Sequence, residues 1–289
     1  MSVAAPSILV LGATGTIGSR VVDSLARRDA PFVAGVRRPA ELACATRPFD
    51  FLDASTWAPA FEGIEAFFFV SPLVDDQLAL SLGVLEAAAR SGVRHCVRLS
   101  SRATGWDREC PLRGWHRAIE DAIVASGLSW TMLRPCSFAQ NFVTSHAALV
   151  RSRGVLAMPL GVGAIPFVDA VDLGEVAADC LLRPELHAGR TYVLTGPRAI
   201  GGAEAARILG EATGRSIRYL PVPHAEARAN AIAAGTPAWL VDSGLRVYAR
   251  AIGGEEAEVD PTLAMLLERP PTTFEEFVAR ERAAFLPEV

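Results

Sequence analysis

The chain has 289 residues, 28 basic against 32 acidic for a net charge of −4, with 51% apolar and 21% charged residues. That balance excludes a disordered or collagen-like chain and leaves no global basic field for nucleic acid or an anionic membrane surface. Every basic residue is arginine, which excludes lysine Schiff bases, a P-loop lysine and a tyrosine–lysine proton relay.

The run Ile8-Leu9-Val10-Leu11 predicts a strand buried on both faces of a parallel sheet. Residues 17–28 predict a helix, with Ile17, Val21, Val22 and Leu25 at helical spacing and two arginines in the last turn. Strands are expected over 32–36 and 66–70, then a long helix over 75–90 that Ser91-Gly92 closes. A strand over 95–99, a helix over 117–125 and a strand over 130–133 complete the series. Repeated βα units of this length imply an α/β, Rossmann-like, doubly wound parallel sheet with right-handed crossovers. Beyond Pro135 the pattern loosens: 191–195 predicts a strand returning to the sheet, 217–222 sits among Pro and Gly, and 203–212, 224–234, 237–252 and 274–285 predict helices. The expected division is a sheet unit over 1–150 and a smaller, interleaved C-terminal α/β substrate lobe over 151–289.

The five cysteines (Cys44, Cys96, Cys110, Cys136, Cys180) are odd in number and scattered, supporting neither a disulfide framework nor a zinc site. No basic segment followed by a long apolar run opens the chain, and the apolar run 64–74 is interrupted and too short to span a bilayer. A cytoplasmic protein with reduced thiols is the expectation.

Chemistry concentrates first in Gly12-Ala13-Thr14-Gly15-Thr16-Ile17-Gly18, between the first strand and the first helix. Glycines there allow a tight turn and let backbone N–H groups approach a pyrophosphate resting on the helix N-terminus; a plain strand–helix turn is the alternative. An NAD site expects an acidic residue at the end of the second strand, for the ribose 2′-OH. Residues 33–38 (VAGVRR) carry none. Arg37 and Arg38 instead suit a 2′-phosphate through charge-assisted, forked hydrogen bonds, pointing to NADP(H).

With GATGTIG, the arginine pair, Leu99-Ser100-Ser101, WTMLRPCSFAQN (130–141), IPFVDAVDLGEVAA (165–178), GRTYVLTGP (189–197) and RPPTTFEEFV (269–278), the chain resembles the NmrA-like branch of the atypical short-chain dehydrogenases/reductases over nearly its whole length. The resemblance implies an NADP-binding Rossmann core and a small substrate lobe. It implies cofactor contacts at Gly12, Ala13, Thr14, Gly15, Thr16 and Ile17, at Arg37 and Arg38, at Asp50 and Phe51 by the adenine, and at Val70, Ser71 and Pro72 along the ribose. Pro135, Cys136, Ser137 and Phe138, on the way to Gln140, are implied near the nicotinamide.

The chain departs from the wider superfamily at its Tyr-x-x-x-Lys pair. Its three tyrosines, Tyr192, Tyr219 and Tyr248, lie in the last third, and counting back from Glu120 puts His116 at the Lys position and Leu112 at the Tyr position. His116 is the candidate left for proton transfer or for orienting the ribose, with packing at a helix start as the alternative. Ser100 keeps the position of the superfamily serine and suits a substrate carbonyl. Trp106, Trp115, Phe138, Asn141 and Phe142 suit a pocket for a flat aromatic ligand, although core packing is the usual role of Trp and Phe.

The leading expectation is an NADPH-dependent reductase of a quinone or conjugated aromatic ketone, whose developing charge is delocalised and needs little help from a protein acid. Two other readings stay open: a tailoring or coupling enzyme of aromatic polyketide biosynthesis, and a non-catalytic NADP(H)-binding sensor. The expected partner is a small aromatic substrate, with no metal, nucleic acid or membrane; a homodimer is left open.

Overall fold

The computed structural model describes residues 8–38, 42, 44–102 and 110–287. In chain order the elements begin β1 (Ile8–Val10), α1 (Gly18–Arg27), β2 (Phe32–Val36), β3 (Thr46–Pro48), α2 (Trp57–Ala60), β4 (Ala66–Phe69), α3 (Gln77–Arg90), β5 (His95–Leu99), α4 (Pro111–Ala125) and β6 (Ser129–Pro135). They continue α5 (Ala147–Arg153), β7 (Val155–Met158), β8 (Ala164–Ile165), α6 (Ala170–Leu182), α7 (Pro184–His187), β9 (Arg190–Leu194), β10 (Ile200–Gly201) and α8 (Gly202–Thr213). The last are β11 (Arg218–Pro221), α9 (His224–Ala233), α10 (Ala238–Ile252), α11 (Thr262–Leu267) and α12 (Phe274–Arg280).

The first compact unit comprises 1–105, 115–135 and 170–193. Its seven-stranded sheet has the order β3-β2-β1-β4-β5-β6-β9, with parallel registers from β3 through β6. Because the period along a strand is two, Phe67 and Phe69, Cys96 and Met132 share one face, where Val84, Leu85 and Ala88 of α3 and Ile119 and Ile123 of α4 cover them. Helix α6 packs on α1 and on β4, β5 and β6. The short strand β3 tolerates Pro48 because it lies at the sheet edge. Strand order reverses between β1 and β4, so the carboxyl ends of these two strands form the switch point at which open α/β sheets bind ligands.

The second unit comprises 106–114, 136–169 and 194–289. It holds two small sheets, β8 with β10 antiparallel and β7 with β11 parallel. Its core gathers Phe142, Leu156, Ile165, Phe167, Leu209, Phe277 and Phe285. Helix α12 starts with a capping box, the Thr273 side chain accepting from the Glu276 N–H while the Glu276 carboxylate accepts from Thr273.

Three expectations need correction. The boundary near residue 150 falls instead after Pro135, and residues 170–193 return to the first unit as α6, α7 and β9. Helix α6 was not among the expected helices; nine of its 13 residues are buried, and its polar stripe is narrow. Helix α4 begins at Pro111, about two turns before the expected start at 117. Proline is tolerated in a first turn, where its missing N–H would have no partner. No helix among the described residues is long and apolar enough to cross a membrane.

Candidate active site

The turn after β1 is built by glycine geometry. Gly12 has φ +67°, a left-handed conformation, and a Cβ there would lie 2.5 Å from Val70 Cγ1. A Cβ on Gly18 would lie 2.0 Å from the Gly12 carbonyl oxygen, so helix α1 can start this close to β1 only with glycine there. Between these two, Thr14, Gly15 and Thr16 are exposed, while Ala13 and Ile17 are buried beneath them. Helix α1 has no side-chain cap and no acidic residue in its first turn. Its first N–H groups, with the positive end of the helix dipole, suit an anion such as a pyrophosphate.

Arg37 and Arg38 follow β2 in a bend; both are exposed, and neither has an ion-pair partner among the described residues. Asp50 is held in place locally: its N–H donates to Thr56 Oγ1 at 3.0 Å, its carbonyl accepts from Trp57 Nε1 at 2.8 Å, and its carboxylate accepts from the Leu52 N–H at 2.9 Å. Phe51 stacks on Phe69 at 6.4 Å and meets Phe49 edge-on at 4.9 Å. Val70, Ser71 and Pro72 follow β4 at the switch point, half-buried, with Ser71 Oγ 2.8 Å from Ser81 Oγ.

Strand β5 brings the next group. Arg98 and Ser100 lie two residues apart and so on the same side of the strand. Ser100 is 6% exposed, its N–H donates to the Leu133 carbonyl, and its buried hydroxyl has no hydrogen-bond partner among the described residues. Arg98 is fully buried. Its Nη1 donates to the Phe69 carbonyl at 3.2 Å, its guanidinium lies 4.8 Å over the Phe69 ring, its Nη2 lies 3.4 Å from His116 Nδ1, and its Nε is unpaired. Burial lowers its pKa to about 10, which leaves it charged at neutral pH. Burial and the Arg98 charge together push His116 down to about 3. One helical turn along α4, Glu120 receives both arms of Arg134 from β6. His116 thus stands in the second turn of α4, beyond the helix start where capping would act.

The remaining candidates fall as follows. Pro135 closes β6, and its carbonyl accepts from the Arg102 N–H at 2.9 Å. Cys136 is buried, with its N–H donating to the Leu194 carbonyl; Ser137 and Phe138 run beside Val168, whose N–H donates to the Ser137 carbonyl. Gln140 donates to Asp169 at 2.8 Å. Asn141 is exposed, and Phe142 opens a π-helical turn, Phe142–His146. Phe142 is 1% exposed and packs on Phe274 at 4.6 Å and Phe167 at 5.0 Å in the second unit's core. Trp115 is half-buried on α4. Trp106 lies outside the described residues.

The sequence reading missed Arg98. The signal was present: an arginine inside the strand His95–Leu99, buried at every position, demands a specific partner. Among the described residues no group of three or more His, Cys, Asp or Glu could hold a metal ion.

A parallel sheet with reversal at β1/β4, a glycine turn feeding α1 and polar side chains at the carboxyl ends of β4 and β5 define a dinucleotide-binding α/β protein. The chain belongs to the NmrA-like family, whose model matches residues 5–278. It is 34% identical over 284 residues to the NAD(P)H azoreductase of Xenophilus azovorans, covering 96% of this chain and 99% of that one. Among solved structures, the NADPH complex of the Escherichia coli NADPH-dependent quinone oxidoreductase QOR2 superposes with a TM-score of 0.83 at 26% identity, covering 95% of this chain and 99% of the other. The NADP(H) complex of Citrobacter sp. triphenylmethane reductase gives 0.82 at 26% identity with the same coverage.

Proposed function

We propose that the protein is an NADP(H)-dependent oxidoreductase that reduces a quinone or a related conjugated aromatic ketone. The oxidoreductase class follows the family and its reductase relatives. The cradle fits the nucleotide: an anion-accepting turn left open by Gly12 and Gly18, two exposed arginines after β2, and a buried Ser100 hydroxyl lacking a partner. Gly12, Ala13, Thr14, Gly15, Thr16 and Ile17 would hold the pyrophosphate, and Arg37 and Arg38 the 2′-phosphate. Asp50 and Phe51 would lie by the adenine, with Val70, Ser71 and Pro72 along the ribose. Pro135, Cys136, Ser137 and Phe138 are the proposed nicotinamide segment; Trp106, Trp115 and Asn141 are the proposed substrate residues, whereas Phe142 is core and is withdrawn from that set. Bound NADPH supplies a hydride; with one proton from water this converts a quinone to its hydroquinone.

The substrate class rests on one observation: Leu112 and His116 stand where the superfamily has its tyrosine and lysine, and burial with the Arg98 charge lowers the His116 pKa to about 3. The chain has no lysine. Tyr192 pairs with His187, Tyr219 donates to the Gly161 carbonyl, and burial pushes Tyr248 up to about 12. Ser100 and His116 remain as neutral hydrogen-bonding groups. Such groups suffice where charge developing on oxygen is delocalised into a ring, since orientation and a few fixed donors then carry the catalysis. The test is NADPH oxidation with a panel of quinones and aromatic ketones, followed by loss of NADPH absorbance. Turnover with quinones is expected. Tight NADPH binding with no turnover on any acceptor would overturn the enzymatic reading in favour of a sensor.

A further inference from the structure

We propose that Arg98 is a positioning residue that locks His116 as the neutral Nε2–H tautomer, so that His116 presents a permanent N–H donor instead of a titrating acid. This rests on the reductase reading above and deepens it.

A guanidinium carries only donors. With Arg98 Nη2 3.4 Å from Nδ1, that ring nitrogen must offer its lone pair, and the single proton of a neutral imidazole then sits on Nε2. An Nδ1–H would face a donor, and an imidazolium would face both a donor and a like charge. Arg98 cannot swing away. Its other arm donates to the Phe69 carbonyl, its plane lies over the Phe69 ring, and β4–β5 pairing places Phe69 directly opposite it. Its charge is only partly offset by Glu120, one turn from His116 on α4, whose carboxylate accepts both arms of Arg134. The charge that bears on His116 is that of Arg98 from β5. His116 Nε2 makes no hydrogen bond to any described residue. The depressed pKa of His116 agrees with this arrangement. A cation at Nδ1 also polarises the ring, which makes the Nε2–H a stronger donor than that of a free imidazole.

The direct test is long-range 1H–15N correlation spectroscopy on the 15N-labelled, nucleotide-free protein, with the His116 ring assigned by its loss in His116→Gln. The expected spectrum shows a protonated Nε2 and a bare Nδ1, unchanged from about pH 8 to about pH 5. In Arg98→Met the ring should lose its tautomer preference, while burial, the larger cause of its lowered pKa, still holds its titration below the ordinary value near 6.5. Arg98→Lys, which keeps a charged donor, should restore the bare Nδ1. Arg98→Met should also lower quinone turnover about 10- to 100-fold while the KM for NADPH changes less than about twofold. An Nδ1–H tautomer in the wild-type protein, or wild-type titration with a midpoint above about pH 5.5, overturns the proposal even if the variants do not fold. Because the spectrum needs no turnover, a locked His116 in a protein that reduces no acceptor would sink the reductase reading and leave the Arg98 assignment standing.

Discussion

The two ends of the central strands of the first unit are built to opposite standards. At the amino ends a connected network ties buried polar side chains together. His95 Nδ1 lies 3.0 Å from Ser129 Oγ, and its Nε2 lies 3.3 Å from Thr131 Oγ1, which in turn donates to the His187 carbonyl at 2.9 Å. His187 bridges Asp179 and Tyr192 at 3.0 Å each, and Asp179 also receives Arg28 and Arg183. At the carboxyl ends, by contrast, the Ser100 hydroxyl, the Arg98 Nε and the His116 Nε2 have no partner among the described residues. Buried polar groups without partners cost roughly 1–3 kcal/mol each, so the fold holds its carboxyl ends against that cost and ties the amino ends to offset it.

The sharpest way to break this contrast is at the turn. Gly15→Asp puts a carboxylate where the pyrophosphate would rest, and NADPH binding should fall beyond detection, at least about 10³-fold, in a protein that still folds because Gly15 is exposed. Wild-type affinity by calorimetry in a folded variant would remove the pyrophosphate assignment. The opposite end should answer in the opposite way. Asp179→Ala strips partners from Arg28, Arg183 and His187 and should lower stability by about 3 kcal/mol in urea unfolding, with NADPH affinity unchanged. Loss of affinity at constant stability would mean that the two ends are not divided as described.

Protons probe both ends at once. Burial holds His95 at about 4, His146 at about 4 and His116 at about 3 in the folded chain, against an ordinary value near 6.5 when unfolded. The unfolded chain therefore takes up protons first, and the stabilisation these neutral rings contribute is full above about pH 6.5 and is lost as the pH falls toward 4. Each ring adds up to about 1.4 kcal/mol per pH unit across that window. Urea midpoints measured from pH 7 down to pH 5 should fall steadily, and His95→Gln should flatten the slope by one proton; a flat profile in the wild type would contradict the buried neutral rings. The smallest effect is expected at the exposed arginines. Replacing Arg37 and Arg38 with alanine should cost about tenfold in NADPH affinity, about 1.4 kcal/mol, while NADH binding stays constant. Parallel titrations of the two nucleotides check it, and an undiminished preference for NADPH would place the 2′-phosphate elsewhere.

Most of the first unit was legible because its signals are local. Apolar runs such as Ile8–Val10 and Ala66–Phe69 specify parallel strands without reference to the rest of the chain. The motif glycines were legible for the same reason. What escaped was nonlocal. Helix α6 is mostly buried, which leaves only a narrow polar stripe, Asp172, Glu175 and Asp179, to set its period. Short strands such as β8 and β10 exist only through pairing between segments about 35 residues apart, which no window reveals. Arg98 was visible as an oddity but its meaning was not, since its partners come from β4 and α4. His116 was found by spacing alone; its neutral state depends on that unseen arginine.

The interleaving of the chain sets a rule for anyone wishing to exchange substrate specificity between relatives. The second unit is drawn from 106–114, 136–169 and 194–289, with 115–135 and 170–193 returning to the first. No single splice point can transplant the second unit whole, and a single crossover within 136–169 would also carry α6, α7 and β9, along with their share of the Asp179–His187 network. Recombination between such genes must therefore move three separate cassettes together, 106–114, 136–169 and 194–289, and leave 115–135 and 170–193 with the sheet.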